Sequence, residues 1–410
     1  MTRQSNTGDE DFALTSFEFP EIIEYDFKPW HRPRKQYIRA EMWGAHVGEL
    51  LNYLDPGEPL RYFGLPGADF LDIRYFVNEF CADGSRKMRF LGFDIAAQDS
   101  DDLRGKTPTE IDAALDSLPS SVDAEIEIER GEAGSLASIR RSPHVDPRSK
   151  VLKKRLESIA AKNSIGRQVL LEEKPFDIVN LDLCGSIFPK EDHAGGYHTE
   201  FFDAVRQIFA LQKRRSKPWL LFLTCRIDDQ AIPHSLNKEI SELIRRNLDT
   251  SPRFRSDLQY FYPQLSEDCG EGRSLQSDEI MVGIAKWLVR LGTSTEMDSH
   301  FIEAAAYRVT DKTGPLDMGM LAFKFDPILE VYGSGLTMAE GVPLVDREPR
   351  WAALIPKQVR RLTDVDGLME GRLDLKEMAV IGSALLLAET GRYSIDAYEE
   401  WVRSGEGWKS

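Results

Sequence analysis

Phe176-Asp-Ile-Val-Asn-Leu-Asp-Leu-Cys-Gly-Ser186 decides how this chain is read. It is nearly all apolar and breaks into Asp, Gly and Ser at its carboxyl end. Leu60-Arg-Tyr-Phe-Gly-Leu-Pro-Gly67 and Trp219-Leu-Leu-Phe-Leu-Thr-Cys-Arg-Ile-Asp228 have the same build. Apolar runs without alternation predict strands of a parallel sheet, buried on both faces. In open α/β sheets, ligands bind just beyond the carboxyl ends of such strands. The polar endings of these runs therefore mark the expected site.

Outward from these runs, strands and helices alternate. The patterns predict strand 60–65, helix 68–80, strand 88–94 ending at Asp94, a helix start at Thr107-Pro-Thr-Glu110 and a short strand at 124–128. A basic interruption over 131–168 follows, with a helix over 149–162. Then come strand 176–183, helix 198–213, strand 218–225, and helices 235–247 and 277–291. Strands 300–310 and 318–325 flank Thr313-Gly-Pro-Leu316 and read as an antiparallel hairpin. The expected architecture is an α/β fold with a mostly parallel, Rossmann-like sheet and a closing hairpin. Its domain would span 58–328. A tail (1–16) and an aromatic, basic arm with a helix over 37–54 (17–57) precede it, and a mostly helical extension (329–410) follows.

The chain has 410 residues and a net charge of −16, which excludes a uniformly basic nucleic-acid surface. Contact with RNA or DNA would have to come from local patches: Lys28–Arg39, Arg140–Arg155 and Lys213-Arg-Arg215. Four scattered cysteines fit neither a disulfide scaffold nor a thiolate metal site and predict a cytoplasmic protein. The polar, acidic start is no signal peptide, and the longest apolar stretch, Met378–Ala388, is too short to span a membrane.

Candidate residues follow from position. Gly64 and Gly67 form a tight turn after the first strand, where backbone amides and a helix N-terminus approach a ligand. Asp94, at the tip of the second strand, suits two ribose hydroxyls. Asn180 and Asp182 end the central run. Glu191-Asp-His-Ala-Gly-Gly-Tyr-His198 reads as a substrate loop rather than a metal site. In the arm, Trp30, Arg32, Arg34 and Lys35 offer stacking faces and cations to an anionic substrate or partner. Thr363-Asp-Val-Asp-Gly367 lacks the spacing of a calcium loop.

Five strand–helix units followed by a hairpin resemble the class I S-adenosylmethionine-dependent methyltransferases. Asn180-Leu-Asp182 with Gly185-Ser186 resembles the fourth strand of tRNA guanine N2-dimethyltransferases, as Leu223-Thr-Cys-Arg-Ile-Asp228 resembles their fifth. The chain carries Leu183-Cys184 where that family has a Pro-aromatic pair. The resemblance implies S-adenosylmethionine held by Gly64, Gly67 and Asp94. Asn180 and Asp182 would face the methyl and its acceptor, a nucleic acid or nucleotide-like substrate. A looser resemblance, to three-Cys-motif partner proteins, implies a non-catalytic binding or sensor module working with a partner protein. A nicotinamide-dependent oxidoreductase is the further alternative, although no G-x-G-x-x-G is present.

Overall fold

A computed structural model describes residues 27–94, 135–183, 185–188, 200–228, 237–270, 273–309, 314–328 and 346–408. The tail at 1–16, the helix start at Thr107, the strand at 124–128 and the loop carrying His198 lie outside the described residues.

The apolar runs form strands where their pattern places them. They are β1 (Leu60–Gly64), β2 (Met88–Phe93), β4 (Ile178–Asp182) and β5 (Trp219–Arg226). The hairpin strands are β6 (Met297–Tyr307) and β7 (Met318–Pro327). Two short strands complete the sheet: β3 (Lys150–Leu152) and β8 (Thr363–Asp364). The order is β3-β2-β1-β4-β5-β7-β6-β8. Neighbours from β3 to β5 are parallel, β7 runs antiparallel to β5 and β6, and β8 is parallel to β6.

Both faces of the sheet are covered, which is why its strands read as unbroken apolar runs. Phe63, Val179, Leu181, Leu221 and Leu223 pack into one core beneath the helices Glu200–Gln212 and Ser277–Ser294. Tyr62, Ile178, Leu220 and Phe222 face the other core, under Ile38, Met42, Trp43 and Val47 of the arm and Ile73 and Phe76 of the helix Leu71–Phe80. Trp43 stacks on Phe222 with ring centroids 5.6 Å apart. A third cluster joins Leu71 to Leu386, Leu387, Tyr398 and Val402 of the C-terminal helices and to Tyr393 between them.

Two expectations are corrected. The arm helix starts at Pro33 rather than 37, because proline suits the first helical position. It continues through a π-helical stretch, Ile38–Gly44, to Tyr53. The helix expected over 149–162 is instead the edge strand Lys150–Leu152 followed by a 3-10 turn, Leu156–Ala160. A strand of three residues is too short to show a period, and the lysines beyond it imitate an exposed helical face. The helices Ser135–Arg140, Ile165–Glu172, Pro252–Phe261 and Pro263–Asp268 were not anticipated.

Candidate functional site

Register brings four of the candidate residues together. Gly64 stands beside both Gly92 and Asn180, on the strands flanking β1. Asp94 lies two residues beyond Gly92, its amide donating to the Leu152 carbonyl at 3.0 Å. Asp182 stands beside Thr224 of β5. Gly64, Asp94, Asn180 and Asp182 thus line the carboxyl ends of three adjacent parallel strands.

The two glycines of the turn have different physical reasons. A Cβ on Gly64 would stand 2.7 Å from the Asn180 carbonyl oxygen and 2.7 Å from the Tyr62 hydroxyl, so close packing demands glycine. Gly67 has a φ of 62°, and nothing lies within 4 Å of its Cβ position. The turn's backbone is therefore open to a ligand at Gly67, as a cofactor cradle requires.

Asn180 is fully buried. Its Nδ2 donates to the Tyr62 hydroxyl at 3.2 Å and to Asp72 Oδ2 at 3.1 Å. Arg39 Nε in turn donates to Asp72 Oδ1 at 2.5 Å. Burial pushes the Asp72 carboxyl up, and the guanidinium of Arg39 opposes that shift.

The arm reaches the same strand ends. Lys35, 6% exposed, pairs its ammonium with Asp182 Oδ1. Its Nζ lies 5.7 Å from the ring centroid of Trp43 and 5.8 Å from that of Tyr307. Burial alone would depress the lysine pKa. The Asp182 carboxylate outweighs it, so the group is held above its ordinary value and remains charged. Burial pushes Tyr307 up to about 12. Arg34 is buried, pairs with Asp366 at 3.1 Å, and donates to the carbonyls of Arg308 and Trp408. Trp30 is half-buried beside these groups, its carbonyl accepting from Arg39 at 3.4 Å. The side chain of Arg32 is 8% exposed.

One buried histidine pins the start of the arm. His31 Nδ1 accepts from the Lys28 amide at 3.1 Å, so Nε2 carries the proton and donates to Asp69 Oδ2 at 2.8 Å. Arg392 holds the other Asp69 oxygen at 3.1 Å, and the Tyr398 hydroxyl donates to the His31 carbonyl at 2.7 Å. Burial lowers the His31 pKa and keeps the ring neutral. It would raise that of Asp69, but His31 and Arg392 hold the carboxyl below its usual range.

The arm, rich in aromatics and cations, thus lies on the chain's own acidic groups. The third basic stretch has internal partners too: Lys213 pairs with Glu296 at 2.5 Å and Arg215 with Asp177 at 2.9 Å. Sequence reasoning did not single out Asp69, Asp72, Tyr62 or Tyr307. The one available signal was two acids, Asp69 and Asp72, at the start of an amphipathic helix.

Among the described residues, no group of three or more His, Cys, Asp and Glu side chains is placed to hold a metal. No described helix is long and apolar enough to cross a membrane.

Sheet and site together define an α/β protein with a mostly parallel sheet, compatible with a Rossmann-like fold, and polar groups gathered at its carboxyl edge. A family model described as PP_RS20740-like matches residues 24–403, and the chain belongs to that family. No curated protein matches it.

Proposed function

We propose that this protein binds S-adenosylmethionine at the carboxyl ends of β1, β2 and β4 and transfers its methyl group to a nucleic acid or nucleotide-like acceptor. The observation that supports this reading is the sheet. Parallel strands β3-β2-β1-β4-β5 are closed by the antiparallel pair β7-β6, the arrangement a class I methyltransferase resemblance implies. The open turn at Gly67 would take the methionine part of the cofactor, Gly64 would bring that backbone close, and Asp94 would accept from the ribose hydroxyls. Bound there, the cofactor supplies an activated methyl. The chain's own work is alignment, with Asn180 and Asp182 facing the acceptor. A cytoplasmic location belongs to the same proposal and rests on scattered cysteines, three of which are free thiols.

Lys35 favours a second reading. Its ammonium occupies the carboxylate that would meet an acceptor amine. With the Pro-aromatic pair absent, this suits a binding or sensor module acting through a partner protein. Calorimetry with S-adenosylmethionine, its demethylated product and NAD tests the cofactor. Binding of the first two at micromolar concentration is expected, and binding of NAD alone would overturn both readings. Transfer of labelled methyl to RNA, DNA or free nucleotides separates the first reading from the second.

A further inference from the structure

Arg34, Lys35 and Arg39 of the arm each hold a carboxylate, and Arg32 holds none among the described residues. Its backbone is fixed: the amide donates to the Pro29 carbonyl at 3.3 Å and its carbonyl accepts from Lys35 at 3.0 Å. The side chain is buried to within 8% of full enclosure. Yet its Nε and Nη1 are enclosed with no hydrogen-bond partner. Each two-donor edge of the planar guanidinium therefore contains a donor left unmatched.

The carboxylates nearest in effect are Asp366 and Asp317, and both are engaged elsewhere. Asp366 holds Arg34 at 3.1 Å and accepts from the Arg308 amide at 2.7 Å. Asp317 accepts from the Val309 amide at 2.6 Å and stands 3.8 Å from Arg226. Asp182 is held by Lys35. Buried donors are almost always matched, and a guanidinium stays charged when buried. A group that is enclosed, charged and unmatched is prepared for a ligand that supplies acceptors. Planar, two-donor edges select oxyanions.

We propose that Arg32 anchors an oxyanion site at the carboxyl ends of β6 and β8, taking the carboxylate or phosphate group of a small ligand. Tyr307, at the end of β6, is the neighbouring hydroxyl. The inference does not depend on which cofactor binds.

The test is thermal unfolding of the full chain, with inorganic phosphate and acetate titrated in turn against chloride at equal ionic strength. Wild type should be stabilised saturably by at least one of them, and which one distinguishes a phosphate from a carboxylate ligand. Arg32→Met should raise the melting temperature in anion-free buffer, because it removes a buried unmatched charge. It should also abolish the anion response. Should Arg32→Met not fold, Arg32→Lys keeps the charge without the fork. It should bind the same anion about ten- to a hundred-fold more weakly, the loss expected for charge-assisted bonds. No saturable response in wild type, or an equal response in either variant, would overturn the proposal.

Discussion

Lys35 and Asp182 stand 147 residues apart in the chain and form one ion pair, in which the lysine is buried and the carboxylate partly buried. The pair joins the arm to the end of the central strand. It decides whether the carboxylate is free to meet anything else.

Removing one member should be costly. Asp182→Asn leaves a buried ammonium without its counter-charge and should destabilise the fold by about 3–5 kcal/mol. The double change Lys35→Met with Asp182→Asn should recover much of that loss. Urea unfolding of the two single variants and the double variant measures the coupling. A double variant as unstable as the sum of the singles would contradict a direct pair.

Asp94 should matter for ligand binding. Asp94→Ala should weaken S-adenosylmethionine by about ten- to a hundred-fold, the effect of losing charge-assisted hydrogen bonds. Calorimetry reads the change. Full affinity in a folded variant removes Asp94 from the cofactor site.

The glycines of the first turn should respond differently to alanine. Gly64→Ala drives a methyl against the Asn180 backbone and should cost about 1–3 kcal/mol, as overpacking does. Gly67→Ala meets open space and should cost only the left-handed strain, about 1–2 kcal/mol, while impairing ligand binding more than Gly64→Ala. Equal unfolding midpoints with equal binding would refute the distinction.

His31 gives the fold a pH dependence of known sign. Its folded pKa lies below the ordinary value of about 6.5. Between those two values the unfolded chain binds the extra proton, so stability falls as pH drops below about 6.5. Asp69, held low, adds a second loss only as pH falls below its unfolded value of about 3.9. His31→Gln keeps a donor for Asp69 but cannot titrate. The difference in stability between wild type and this variant should therefore change across the first window. A constant difference from pH 7 to pH 5 would rule His31 out as the source.

Much of the sheet was legible because β1, β2, β4 and β5 are each long enough to show a nearly continuous buried run. The edge strand β3 was not, since three residues followed by Lys153-Lys-Arg155 carry no period of their own. At the site, Asp94, Asn180 and Asp182 were visible as polar residues ending apolar runs. Asp72 was hidden because nothing local shows that an acid at a helix start is buried. Its partner Arg39 is 33 residues earlier in the chain. The arm's composition showed that it needs an apolar and anionic surface, but composition cannot say whose surface that is.

The bonds that fix the arm also impose an order of events during synthesis. Tyr398 reaches back 367 residues to His31, and the Trp408 carbonyl takes a bond from Arg34 374 residues before it. A chain made from its N-terminus must finish its last helices before its first one can be secured. Until the segment carrying Tyr398 and Trp408 has been made, the arm over the strand tips lacks these anchors, and contacts so distant in sequence form slowly. The arm is thus secured over Asn180 and Asp182 only after the C-terminal helices have been made.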